Sequence, residues 1–245
     1  KEFIDNLFIF YLSNSIKLDE IHVKGRQTAS KFSTINSLNL ETLSTKELEK
    51  AACCNLSESF GTNASVDVAI NDGVSGAKKI KMLGLDGVYT QITHENMPLI
   101  RGLSSAFGLT HVPGTWIESI QIIKGNGSVI NGFESFTGQI NLEYFKPESA
   151  DKIFLNLYGN GDGKIENNLI LSKRKGNWQS NLFTHISSHS IDHDRNSDGF
   201  LDMPKYNQFN FLNRWKYFGN PKYAMQVYVR GLMEDREGGT YDDRV

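Results

Sequence analysis

One short stretch of the chain carries residues that could hold a metal ion. In DRNSDGFLD, Asp194, Asn196, Asp198, Gly199 and Asp202 fall at positions 1, 3, 5, 6 and 9 of the calcium-loop template. That chemistry asks for alternating oxygen ligands, a glycine at the sharp turn and a later carboxylate. The bidentate Glu of position 12 is missing, and Lys205 stands there. A Ca2+ ion held by Asp194, Asn196, Asp198 and Asp202 is one expectation; an acidic loop left in solvent is the other. Cys53 and Cys54 are the only two cysteines. Adjacent thiols can take a soft metal or close a strained disulfide ring, and the plainer reading is two small buried residues on a helix. The six histidines, His22, His94, His111, His185, His189 and His193, are scattered. His189 and His193 are four apart, but in a stretch that reads as loop, where helical spacing has no meaning. No GxSxG, HExxH or GxxxxGK[ST] pattern occurs. The chain reads as no enzyme, and no motif requires a cofactor.

The elements that would position these residues fall into two textures. The chain has 245 residues, 39% hydrophobic and 22% charged, an ordinary composition for a folded protein. Its net charge of −2 gives no bias toward nucleic acid. No apolar run reaches the ~18 residues of a membrane helix, though a transmembrane β-barrel needs only alternating strands of about 10. Between 44 and 60, Ser44-Thr45-Lys46-Glu47 forms a capping-box pattern. One helix broken near Asn55, or two short ones, should follow. From 66 the pattern turns to strands at 66–70, 78–83, 88–92, 117–123 and 138–144, with loops at 71–77 and 93–114.

After Pro147 the strands lengthen and the aromatic residues concentrate. Strands are expected at 152–161, 164–174, 177–188, 205–218 and 222–233. In the fourth, Phe209, Phe211, Trp215 and Tyr217 alternate with Gln208, Asn210, Arg214 and Lys216. An apolar-out, polar-in ladder suits a barrel with a wet lumen. A soluble antiparallel sandwich also alternates, but the strand length and aromatic load favour the membrane. The connections are short near 161, 175 and 220 and long at 189–204.

The two textures meet around TWIESIQIIKGNGSVINGFESFTGQINLEY, residues 115–144. Here Lys124-Gly125, Ser128-Val129, Asn131-Gly132 and Gly138-Gln139-Ile140-Asn141 follow one another between two Ile-rich strands. The glycines allow turns and close approaches closed to other residues. This order resembles the closing segment of the plug domain in TonB-dependent outer-membrane receptors. The resemblance covers 18–245 and is strongest at 66–146. It implies an α+β plug followed by antiparallel transmembrane β-barrel strands, the first five or so of a plugged barrel of about 22. The division would be 1–17, the end of a preceding domain or leader; 18–37, TonB box and linker; 38–147, plug; 148–245, barrel strands. The chain starts at Lys1 and reads as cut at both ends.

The resemblance also implies roles. Ile21, His22 and Val23, in a short β-prone run, look like the TonB box, which would add a strand to the TonB energy-coupling protein. The plug's upper loops would meet the ligand, which points to Asn71, His94, Glu95, Arg101, Phe107 and His111. Glu95-Asn96 stands where Asp-Gly is usual in the family. Met82-Leu83-Gly84 and Lys124 stand where the family has Arg before Gly. The usual ion pairs between plug and barrel wall are then in question, with Arg101 a substitute. The implied function is energy-coupled uptake of a scarce nutrient, a ferric siderophore or other metal complex, across the bacterial outer membrane. Partners would be TonB, outer-membrane lipid and the nutrient ligand, and no nucleic acid. The competing reading is a secreted or surface β-protein that binds calcium or glycan without transport.

Overall fold

The computed structural model describes residues 30–32, 40–50, 55–61, 63–105, 107–127, 134–220 and 223–240. The candidate TonB box, the 1–17 segment and the Cys53-Cys54 pair lie outside them. The N-terminal half holds strands β1 (Ser30–Phe32), β2 (Leu40–Ser44), β3 (Val66–Asp72), β4 (Ala77–Met82), β5 (Leu85–Asp86), β6 (Thr90–His94), β7 (Met97–Ile100), β8 (Ile117–Lys124) and β9 (Gly138–Tyr144). Between β2 and β3 come two short helices, α1 (Thr45–Lys50) and α2 (Leu56–Ser59). Asn55 caps α2, its side-chain oxygen accepting from the N–H groups of Ser57 and Glu58.

A mixed sheet in the order β1-β2-β8-β9-β6-β7 forms the body, and β3-β4-β5 make a second, smaller sheet. Among the described residues, only β6 and β9 pair in parallel. Gly138 sits where they meet β8: a Cβ there would lie 2.3 Å from the Ile123 carbonyl oxygen and 2.4 Å from Met82 Sδ. Gly138 thus serves close approach, while Gly125, at φ +86° with open space around it, serves a turn. Behind the sheet, Leu43, Leu56, Phe60, Ile80, Met82, Ile92, Trp116, Ile120, Ile140 and Tyr144 are buried in one cluster.

The C-terminal half is a five-stranded antiparallel sheet in chain order: β10 (Ile153–Gly159), β11 (Lys164–Lys175), β12 (Trp178–His189), β13 (Lys205–Asn220) and β14 (Tyr223–Glu237). Its two faces differ in kind. Glu166, Asn168, Asn181, His185, Ser187, Gln208, Asn210 and Arg214 are buried, whereas Ile153, Leu157, Ile165, Ile186, Phe209, Trp215, Val229 and Met233 are exposed. The buried polar face is covered by the N-terminal half. At one patch it turns apolar, where Ile170, Phe183 and Leu212 join the core and Trp116 packs 5.5 Å from the Phe183 ring. The arrangement is a plug seated against the inner face of an unclosed barrel wall. Among the described residues, no helix is long and apolar enough to cross a membrane.

Candidate functional site

The wall has two distinguishable ends. One carries the short β11–β12 and β13–β14 turns; the other carries the long 190–204 loop. Strand β9 runs toward the short-turn end, since its continuation, Phe145 and Pro147, offers carbonyls to Asn181 and Arg174 beside the β11–β12 turn. Parallel β6 therefore carries His94 and Glu95 to that same end. The loops at 72–77 and 102–113 point the other way. Arg236 donates to the Ser75 carbonyl at 3.0 Å, and His111 Nε2 meets Glu234 at 2.9 Å.

The structure thus divides the six ligand-loop candidates. Asn71 and Arg101 line a cleft of about 340 Å³ together with Lys79, Asp86 and Glu134. Arg101 forks onto Glu134, with Nε at 2.9 Å and Nη2 at 2.8 Å. Phe107 and His111 line a separate open cavity of about 490 Å³ with Glu234 and Arg236. The Arg236 guanidinium lies 5.4 Å over the Phe107 ring. In this cavity an aromatic face, an imidazole and a guanidinium, with Glu234 bonded to the last two, suit a ligand that is both flat and rich in acceptor oxygens.

His94 and Glu95 are not in that group, and His94 is not in a loop. It ends β6, is buried, and stacks on Tyr144 with ring centroids 4.0 Å apart. Burial first, and then the charges of Arg214 and Arg230, push its pKa down to about 3. The imidazole is neutral, so its 3.7 Å approach to Glu95 is no ion pair. Glu95 instead meets Arg214 of β13 at 2.5 Å and accepts from Gln226 at 2.8 Å. The turn that places it is unusual. His94 pairs with Met97 across a two-residue connection in which Glu95 has φ +48° and Asn96 φ +63°. Positive φ at both central residues defines the hairpin turn that prefers Asn-Gly or Asp-Gly. Glu95 holds that strained conformation while its carboxylate reaches the buried guanidinium of the wall.

Plug and wall are also tied by Lys164 to Glu58 at 3.8 Å, and Lys216 of β13 reaches Glu148 of the connecting segment at 3.2 Å. Sequence reasoning missed these wall residues because each needs its partner in view. Lys124, in the position where the family has Arg, pairs with Glu41 inside the plug at 3.4 Å.

The acidic loop folds upon itself. Asp194 accepts from the N–H groups of Asp198 and Gly199, and Asp202 from that of Arg195. Among the described residues, no group of three or more His, Cys, Asp or Glu is arranged to hold a metal ion.

A family model described as the TonB-dependent Receptor Plug Domain matches residues 25–139. A search of curated proteins found no match. Among solved structures, the pyoverdine outer membrane receptor FpvA from Pseudomonas aeruginosa PAO1 is similar at a TM-score of 0.63 and 12% identity, over 82% of this chain and 28% of that one. The ferric-catecholate import receptor Fiu from E. coli K12 gives a TM-score of 0.59 and 16% identity, over 83% and 28%. The copper transporter OprC gives 0.67 and 11%, over 84% and 33%. The chain spans about a quarter to a third of the length of these structures.

Proposed function

We propose that the chain, whose residues 25–139 match the plug domain of TonB-dependent receptors, is part of such an outer-membrane receptor and serves energy-coupled uptake of a scarce nutrient. One observation carries the reading: a plug covers the polar face of wall strands whose other face is apolar. Such a wall is stable only with lipid outside and polar contents inside. The rival reading, a surface binding protein without transport, has no use for a plug seated in this way.

The proposed cargo is a ferric siderophore or other metal complex. Neighbouring structures support it, since one is bound to pyoverdine and another is a copper transporter. The proposed contact residues are those at the long-loop end, Asn71, Arg101, Phe107 and His111, while His94 and Glu95 seat the plug. Energy would enter through Ile21, His22 and Val23 by strand addition to TonB.

Binding and uptake of a panel of ferric siderophores by the full-length protein test both halves. Arg101→Glu should weaken an anionic complex by about tenfold or more, about 1.4 kcal/mol, without disturbing assembly. Ile21→Pro should leave binding intact and abolish uptake, because Pro cannot complete a strand ladder. Affinity untouched by Arg101→Glu would move the site away from this cleft, and uptake untouched by Ile21→Pro would remove the coupling role.

A further inference from the structure

The long loop at 190–204 is folded down onto the β10–β11 turn, and one buried histidine joins them. His189, the last residue of β12, has Nδ1 3.1 Å from the Pro204 carbonyl oxygen and Nε2 2.9 Å from the Asp162 carbonyl oxygen. The ring is 1% exposed. A carbonyl oxygen can only accept. A neutral imidazole carries one N–H, whichever tautomer it adopts, so it can serve one of these two acceptors. Its other nitrogen would then press a lone pair against a carbonyl lone pair in a buried site. The imidazolium carries two N–H groups and serves both.

We propose that protonation of His189 fastens the 190–204 loop onto the β10–β11 turn, making the loop an acid-closed clasp over this end of the wall. The two carbonyls belong to the two segments being joined. Pro204 is the last residue before β13, and Asp162 is the tip of the β10–β11 turn. Ile191 packs so closely over Gly163 that a Cβ there would lie 2.3 Å from Ile191 Cδ1. The clasp also reaches the plug, because the Pro204 ring lies 3.1 Å from the position a Cβ would take on Gly76. Loop order and the plug's 72–77 loop are therefore in contact at one point.

The groups facing His189 do not supply an alternative second donor or acceptor. From the β10–β11 turn, Asp162 presents its carbonyl while its carboxylate is held by Arg195. From the loop, His193 Nε2 shares that same carbonyl at 3.2 Å, and Asp192 is paired with Lys205 of β13 at 3.1 Å. On β13, the Tyr206 ring stacks 6.2 Å away and itself lies under Arg236 of β14. On β11, Lys164 is the cross-strand partner of His189, and its charge is offset by Glu166 at 2.8 Å. The sign follows from the donor count. Closure takes up a proton, so falling pH closes the loop and rising pH frees it.

The test uses the full-length protein in detergent, with Cys53, Cys54 and every other native cysteine replaced by Ser and a nitroxide attached through Ser197→Cys. Electron paramagnetic resonance separates immobilised from mobile label at about pH 5 and about pH 8, either side of the usual histidine range. The immobilised fraction should rise about twofold or more at the lower pH. His189→Gln, neutral throughout, should abolish that response, and His193→Gln should retain it. A wild-type spectrum indifferent to pH overturns the proposal. So does a response that survives His189→Gln, or one lost in His193→Gln alone. Should His189→Gln not assemble, nitrogen-15 spectra of histidine-labelled wild type decide: a singly protonated His189 in the immobilised loop overturns it.

Discussion

Glu95 shows what a single residue is made to tolerate. Its φ of +48° is a conformation that side chains other than glycine, Asn and Asp seldom adopt, at a cost of about 1–3 kcal/mol. The contact it makes in return is with Arg214, whose side chain is fully buried. Glu95→Ala would relieve little of the strain and leave a guanidinium stranded inside the protein. Urea unfolding should show a loss of about 3–5 kcal/mol, and Glu95→Ala combined with Arg214→Met should recover most of it. His94 makes the same seat sensitive to acid. Folded, it resists protonation until about pH 3; unfolded, it titrates near 6.5. Stability is therefore complete above about pH 6.5 and is lost as pH falls toward 3, since only the unfolded chain takes up the proton. Denaturation at about pH 7 and about pH 4 should show this loss in wild type and a smaller one in His94→Gln. The sequence placed both residues among ligand loops. The turn at Glu95-Asn96 was visible in the sequence, but its partner was not, because Arg214 lies some 120 positions away.

At the scale of elements, legibility followed period and length. The five wall strands and the strands at 66, 78, 117 and 138 match their expected positions within a few residues, because alternation over many residues is hard to mistake. Strand β7 was read as loop: it is four residues long and contains Pro98, which only an edge strand tolerates, and β7 is the sheet's edge. Strand β2 was missed because its LETLS pattern buries Glu41, a residue that sequence assigns to solvent. Lys124 of β8, and Ser65 and Asn63 just before β3, satisfy that carboxylate from two other segments. The parallel β6–β9 pairing was invisible for the usual reason that register between distant strands leaves no local mark. Its weak point is nonetheless identifiable. Gly138→Ala would drive a methyl group into the Ile123 carbonyl and Met82, prising β8 from β9. We expect a loss of about 1–3 kcal/mol in urea unfolding, against near-neutrality for the same change at Gly73, which has open space around it.

For the whole molecule, the apolar-out, polar-in wall was legible, while the plug's orientation within the wall was not. The sequence shows that some loops project from a small sheet; only the assembled strands show which end each one occupies. The long loop at 190–204 shares an end with Phe107 and His111, and we expect that end to face outward. A cysteine introduced at Ser197 should react with a membrane-impermeant maleimide on intact cells; reaction only after the outer membrane is broken would invert the molecule. The position of β1 has a mechanical meaning. It lies at the margin of the plug sheet, held to β2 by three residue pairs, Ser30 with Leu43 through Phe32 with Glu41. Because β2 runs toward the short-turn end, β1 begins at that end, and a pull there on the preceding chain loads those pairs in shear, all at once. Once they give, tension passes to the far end of β2 and peels it from β8 one pair at a time, Leu40 from Ile123 first. Traction on this plug would therefore meet one brief resistance and then a yielding seam, dismantling the sheet from its margin inward while the wall stands.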